Sequence, residues 1–190
     1  MKRLHRYTRQ TAATLLCASL ALASQVTQAL EIHSPGLPEG ATLPDAQVFK
    51  GFGCEGQNQS PALNWSDAPA GTKSFAITIY DPDAPTGSGW WHWVVFNIPA
   101  NTHTLPAGAG TADTAALPPG TLQSRTDFGT PGFGGACPPP GATPHRYQLT
   151  LFALDVESLP LDTHASGALV GFMLNQHALE KARITWRYGR

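Results

Sequence analysis

Two short segments alternate apolar and polar residues with a period of two, and the stretch between them is suited only to a turn. Ser74–Asp81 sets Phe75, Ile77 and Ile79 on one side, and Trp91–Ile98 sets His92, Val94, Phe96 and Ile98 on one side. Successive side chains of a strand point to opposite faces, so this period predicts two half-buried strands. Between them runs Pro82-Asp83-Ala84-Pro85-Thr86-Gly87-Ser88-Gly89. Proline presets φ and glycine accepts positive φ, which is turn chemistry. The chain must fold back on itself here, and an antiparallel hairpin is the expectation.

The same reading predicts strands over Tyr147–Leu154 and Arg183–Tyr188, with weaker signals over Ala46–Phe49, Ala62–Trp65 and the extended Leu30-Glu31-Ile32. One helix is expected over Thr163–Gln176, capped by Thr163, with Leu169, Phe172 and Met173 at helical spacing. Pro99–Thr143 lacks periodicity and reads as a long loop region, of the kind that usually carries function. Gly 19 and Pro 17 make up about one residue in five of the 190, against roughly one in eight on average. No repeats or charge blocks interrupt the chain. Residues 30–190 therefore read as a single turn-rich, mainly β domain.

Charged residues are only 13% of the chain, with Lys+Arg 12 against Asp+Glu 13. That balance excludes a basic nucleic-acid binder and a charge-driven disordered chain. The N-terminus differs from the rest: Lys2, Arg3, Arg6 and Arg9 precede the apolar run Ala12–Ala23, and no acid occurs before Glu31. This is the pattern of a secretory signal peptide over residues 1–29. Its apolar core, about 12 residues, is shorter than the roughly 20 needed to span a bilayer. Cleavage fits after Ala23 or Ala29, and Ala29 is preferred because an extended segment begins at Leu30. Cys17 follows Leu16 rather than a small residue, so neither a lipid anchor nor any other stable membrane anchor is expected. Removal of the segment leaves 8 basic and 13 acidic groups, a net charge of -5, which argues against anionic lipid surfaces. The expected location is periplasmic or secreted. In that oxidising compartment the remaining Cys54 and Cys137 are expected to form one disulfide, two separate buried thiols being the alternative.

Candidate chemistry converges at one end of the expected hairpin. Asp81 ends one strand, His92 sits near the start of its partner, and His145 lies at the mouth of the strand beginning at Tyr147. Asp81, Asp83, His92 and His145 could line one cavity, walled by Gly134-Gly135-Ala136-Cys137-Pro138-Pro139-Pro140, in which prolines stiffen the wall and glycines let backbone N–H groups approach a ligand. Such a site binds a small anion through imidazoles and backbone donors, the aspartates orienting the histidines and raising their pKa. Binding is then expected to be tighter below pH 7 than above it. His145 is equally open to a structural reading, as a buried histidine bonded to Asp81. His33, His103, His164 and His177 have no partner pattern and read as surface residues. Trp90, Trp91 and Trp93 could form an aromatic cage for a quaternary ammonium group, but alternation sends Trp91 and Trp93 to the face opposite His92, where they read as core. Two aspartates and two histidines are a weak zinc signature without a close His pair, so no metal and no cofactor is expected.

Asp81-Pro82-Asp83-Ala84-Pro85, His92 after Trp90-Trp91, and Pro138-Pro139 followed by His145-Arg146-Tyr147 together resemble the signature of the phosphatidylethanolamine-binding protein family, also called Raf kinase inhibitor-like proteins. Gly87-Ser88-Gly89-Trp90-Trp91-His92-Trp93 and Thr126-Asp127-Phe128-Gly129 resemble its bacterial YbhB/YbcL branch. The resemblance implies a large antiparallel sheet packed on a smaller sheet, with a few peripheral helices and an anion pocket at the sheet end. It carries Asp81, Asp83, His92, His145 and Tyr147 over as pocket residues, with Ala84, Cys137 and Pro138 contributing from the backbone. A cysteine stands at 137 where the family usually has glycine. The function implied is binding of a small anion, whether phosphate, a phosphorylated headgroup or a carboxylate, to modulate a partner protein. An exported chain would not meet a cytosolic kinase, so the partner does not follow from the fold. A hydrolase using His92 or His145 with Asp81 is a second reading, weakened by the absence of Gly-x-Ser-x-Gly. An inhibitor that inserts its Pro-rich loop into a protease or lytic enzyme is a third.

Overall fold

The period-two segments pair as a hairpin, and the rest of the large sheet is built outward from them. The computed structural model describes residues 28–113 and 115–190. All but the last two residues of the expected signal segment, including Cys17 and the Ala23 cleavage point, lie outside the described residues. Among the described residues the strands are β1 (Glu31–His33), β2 (Lys50–Gly51), β3 (Cys54–Glu55), β4 (Leu63–Ser66), β5 (Ser74–Asp81), β6 (Trp90–Pro99), β7 (Thr104–Leu105), β8 (Leu122–Gln123), β9 (His145–Leu154) and β10 (Ala178–Tyr188), with one α-helix, α1 (Gly167–His177). A five-stranded antiparallel sheet runs in the order β10-β9-β5-β6-β8, a three-stranded sheet in the order β1-β4-β7, and β2 and β3 form a short pair.

The large sheet is covered on both faces. On one, Phe75, Ile77, Trp93, Val95, Leu149, Leu151, Ile184 and Trp186 meet Leu63, Trp65 and Leu105 from the small sheet. On the other, Ala76, Val94, Phe96 and Leu154 meet Val170 and Leu174 of α1. Full burial of each large apolar side chain contributes about 1.5–3 kcal/mol, so the three central strands anchor the fold.

Double coverage breaks the simple alternation. Tyr80 pairs with Trp91 and Ile79 with Trp93, which leaves His92 without a partner on β5. A second irregularity falls between Phe75 and Ile77, where the partner strand contains Asn97 at φ 59. Such bulges insert a residue and re-aim the side chains around it. The expectation that Val94, Phe96 and Ile98 share one face is therefore corrected: Val94 and Phe96 lie under the helix, Ile98 in the main core. Trp91 and Trp93 are likewise separated. Trp93 is fully buried in the main core, while Trp91 packs on Tyr80 with ring centroids 4.6 Å apart, on the helix side.

Elsewhere the boundaries shift for local reasons. Residues Asp45–Gln47 form a 3-10 turn rather than the start of a strand, because Pro44 fixes the entry and its carbonyl accepts from Gln47 N–H at 3.0 Å. The helix begins at Gly167, capped by Ser166, whose hydroxyl accepts from Leu169 N–H at 3.2 Å. Asp162 meanwhile holds the preceding residues in a side-chain turn by accepting from His164 N–H. The helix docks through Gly167, Val170 and Leu174, leaving Leu169 45% and Phe172 58% exposed. Leu169 and Phe172 are thus not on its buried face, whereas Met173 packs partly buried against the core. β10 starts at Ala178, five residues before the sequence expectation, directly after the helix. Cys54 and Cys137 are joined in a disulfide, with Cα atoms 6.0 Å apart.

Candidate functional site

Antiparallel pairing brings the end of β5 and the starts of β6 and β9 to one edge, and a cavity of about 170 Å³ opens there. Its strand-borne lining is Asp81, Trp90, His92, His145 and Tyr147. Its loop-borne lining is Phe52, Ala84, Pro85, Thr86, Phe128, Cys137, Pro138 and Pro139.

The polar side is tightly ordered. Asp81 accepts from His145 Nδ1 on Oδ2 at 2.7 Å and from Asp83 N–H on Oδ1 at 2.8 Å. Both carboxylate oxygens are committed, so Asp81 orients His145 and has no oxygen left without a protein partner. His145 thus fits both of its readings, a buried histidine bonded to Asp81 and a cavity-lining one. His92 donates Nδ1–H to the Gly134 carbonyl at 2.7 Å. In each ring the carbonyl or carboxylate fixes the proton on Nδ1 and leaves Nε2 as the nitrogen available to a ligand. The His92 ring meets Tyr147 edge-on at 5.0 Å.

Burial pushes the His92 pKa below its ordinary value, outweighing the Gly134 carbonyl and the Asp81 charge, which pull upward. The expectation that neighbouring aspartates raise it is therefore corrected. Burial likewise raises the Tyr147 phenol, with Asp81 adding to the effect. Its hydroxyl stays protonated and can donate. At neutral pH the site presents a phenol donor and a neutral His92.

Asp83 does not line this cavity. Its carboxylate grips Arg146, accepting from Nε at 2.9 Å, Nη2 at 2.7 Å and the backbone N–H at 2.9 Å. The Arg146 guanidinium holds the Asp83 carboxyl down at about 2. The glycines of the wall also differ from expectation. Gly134 N–H is taken by the His92 carbonyl and Gly135 N–H by Asn58 Oδ1. A Cβ on Gly134 would lie 2.2 Å from the Phe128 ring, and one on Gly135 2.4 Å from the Gln47 carbonyl. These positions need glycine for close packing, not for ligand access. Among the other histidines, His33, His103 and His164 are exposed, whereas His177 is half-buried and bonded to Asp155 at 2.9 Å. Among the described residues no three metal-ligating side chains are grouped to hold an ion.

The sequence pattern places Pro139 in the cavity wall, as found, but does not assign Phe52, Pro85, Thr86, Trp90 or Phe128 to the cavity. Phe52 stands at φ 53, 69% exposed, with its ring 5.9 Å from Phe128 and nearly parallel to it. Arg190 steadies the loop, donating to the Gly53 carbonyl at 2.9 Å and the Pro138 carbonyl at 2.7 Å. The flanking glycines and the adjacent Cys54 were the only signals available.

A two-sheet β fold with a histidine-lined cavity at the sheet end defines a class of binding fold, and sequence comparison identifies which. The family model described as phosphatidylethanolamine-binding protein matches residues 33–189, and the chain belongs to that family. It is similar to YbcL of Escherichia coli (strain K12), 56% identical over 83% of this chain and 86% of YbcL. It is similar to YbhB of the same organism, 55% identical over 82% of this chain and 98% of YbhB. The crystal structure of E. coli YbcL, described as a new member of the mammalian PEBP family, superposes with a TM-score of 0.84 over 86% of this chain and 99% of that one.

Proposed function

We propose that this protein is an exported binding protein for a small oxyanion, a phosphate, phosphorylated headgroup or carboxylate, held in the cavity of His92, His145 and Tyr147, and that it acts by modulating a partner protein. One observation carries the reading: a cavity for a few heavy atoms, apolar on its loop side, is lined by two imidazoles whose Nδ1 atoms are taken by protein partners and by a phenol, all carried on strands. Ligand sites are typically concave and mostly apolar, with a few well-placed polar groups. The Nε2 of a neutral His92 accepts rather than donates, so an oxyanion must bring a proton with it or raise the His92 pKa on binding. Affinity therefore falls as pH rises through the bound-state pKa of His92.

A covalent hydrolytic mechanism has little support, because among the described residues the lining hydroxyls are Thr86, whose Oγ1 donates to the Gly89 carbonyl, and Tyr147, whose phenol is held protonated. Export is supported by the Cys54–Cys137 disulfide. Cleavage after Ala29 would place the new ammonium of Leu30 beside Glu180, whose Oε1 already accepts from Leu30 N–H at 3.0 Å.

Calorimetric titration of inorganic phosphate between pH 5 and 8 tests the reading. Wild type and His103→Ala should bind alike, more tightly at lower pH, and His92→Ala should bind weakly or not at all. Equal, pH-independent affinity in His92→Ala and wild type would overturn it. Turnover of phosphate, ester or peptide substrates, abolished in His92→Ala, would replace it with an enzymatic role.

A further inference from the structure

A second cavity, of about 840 Å³, shares Pro85, Pro139 and His145 with the first and lies directly beside it. Two cations line it, Arg146 and Arg187, and they sit directly opposite each other in the β9–β10 register. Like charges facing across an antiparallel pair are destabilising, so the arrangement calls for counter-charge. Arg146 has it in Asp83, the only acidic residue lining the cavity among the described residues. Arg187 does not: among the described residues its guanidinium makes no hydrogen bond and no ion pair. Its backbone is nevertheless fixed, donating to the Ala41 carbonyl at 2.9 Å and accepting from Leu43 N–H at 2.9 Å. An exposed guanidinium with no protein counter-charge among the described residues, carried on a fixed backbone, therefore lines a cavity adjoining the proposed anion site.

We propose that Arg187 anchors a second anion subsite, so that the ligand is a two-headed anion, one oxyanion in the His92 cavity and a second phosphate or carboxylate on the Arg187 guanidinium. The inference rests on the anion-binding reading of the first cavity and names the ligand class more narrowly. A guanidinium presents a planar fork of donors that matches phosphate and carboxylate in bidentate fashion. Between the two subsites stand Pro85 and Pro139, which offer no backbone N–H, so the linker joining the heads is uncharged and short of acceptors.

The test compares propyl phosphate with propane-1,3-diyl bisphosphate, which differ by the second phosphate, in titrations of the purified full-length protein at fixed pH and salt. The bisphosphate should bind at least about tenfold more tightly, beyond the factor of two expected from having two equivalent ends. Arg187→Gln should remove that advantage and leave propyl phosphate unchanged, Arg187→Lys should keep part of it, and Lys181→Gln, outside the cavity, should alter neither. A bisphosphate no tighter than the monophosphate in wild type, or an advantage that survives Arg187→Gln, overturns the second subsite while the first stands. Failure of both probes to bind overturns the first cavity's reading and this inference with it.

Discussion

The two sides of the cavity are built by different physics. On the strand side, Asp81, His92, His145 and Tyr147 project from β5, β6 and β9, whose positions are set by ladder pairing, bulged at His92, and by a core buried on both faces. Both Asp81 oxygens and the Nδ1 of each histidine have named partners, and the side chains are nearly shut off from solvent. On the loop side, Phe52, Phe128, Cys137 and Pro138 belong to segments with little secondary structure, held by one disulfide, by Arg190 and by aromatic contacts. The strand side can therefore be rigid in chemistry and geometry, whereas the loop side owes its shape to a few removable tethers. Perturbing each side alone should separate chemical recognition from shape.

The largest effect is expected from cutting the loop tether. The disulfide joins residues 83 apart, for which the chain-entropy model gives about 4.5 kcal/mol and experience with native bridges about 2–5 kcal/mol. The double variant Cys54→Ser/Cys137→Ser should lower Tm by roughly 5–20 °C for a domain of this size. Amide spectra should change around Phe52 and Pro138 and stay constant around His145. An unchanged Tm would mean that Arg190 and the aromatic contacts alone hold the loop side.

Breaking the strand side comes next. His145→Ala strips the imidazole from a carboxylate that is only 3% exposed, and an unpaired buried charge costs about 3 kcal/mol. Adding Asp81→Asn to that variant should restore part of the loss, since it removes the stranded charge. Urea denaturation of the two variants checks this. No recovery in the double variant would mean that lost packing, not lost charge pairing, sets the cost.

What the sequence makes legible divides along the same line. Asp81, His92 and His145 are predictable together because a two-residue period and a Pro/Gly-rich turn dictate where a hairpin ends. The bulge at His92 is not, since nothing in Trp90-Trp91-His92-Trp93 marks an inserted residue, and it overturns the facing of Trp93. Asp83 looks like a cavity residue by proximity, but Arg146, next to His145 in the chain, captures it. Phe52 is invisible because its place depends on a bridge to Cys137 rather than on any local pattern. The helix face is misread for a related reason: Gly167 lets the helix approach Trp91 closely, with a Cβ there only 2.5 Å from the indole, and this turns Val170 and Leu174 inward while Leu169 and Phe172 stay exposed.

Acid titration sharpens the comparison without mutating the fold. His92 titrates below its ordinary 6.5 in the folded protein because it is buried. As pH falls from 6.5, the unfolded chain takes up the proton first, so stability declines from there down to the lower folded pKa and is fully retained above 6.5. His92→Gln should flatten this slope in urea midpoints measured between pH 7.5 and 5. Asp83 acts in a separate window, since its contribution is lost as pH falls from 3.8 to about 2. A slope that persists in His92→Gln would assign the acid sensitivity to another group.

The smallest expected change in stability comes from the loop side's own aromatic. Phe52 sits at φ 53, a conformation that costs a non-glycine residue about 1 kcal/mol, and its ring stacks on Phe128, which contributes about 0.5–1.5 kcal/mol. In Phe52→Gly the relief of the first offsets the loss of the second, so unfolding free energy should move by no more than about 0.5 kcal/mol. Binding should respond selectively. Inorganic phosphate reaches only the strand-borne groups and should bind as in wild type, whereas phenyl phosphate, whose ring would lie against Phe52 and Phe128, should lose a few-fold in affinity. Phosphate-perturbed amide shifts in both proteins would read this out. If inorganic phosphate weakened as much as phenyl phosphate, the loop side would be ordering the histidines as well as shaping the mouth, and the two sides would form one cooperative unit.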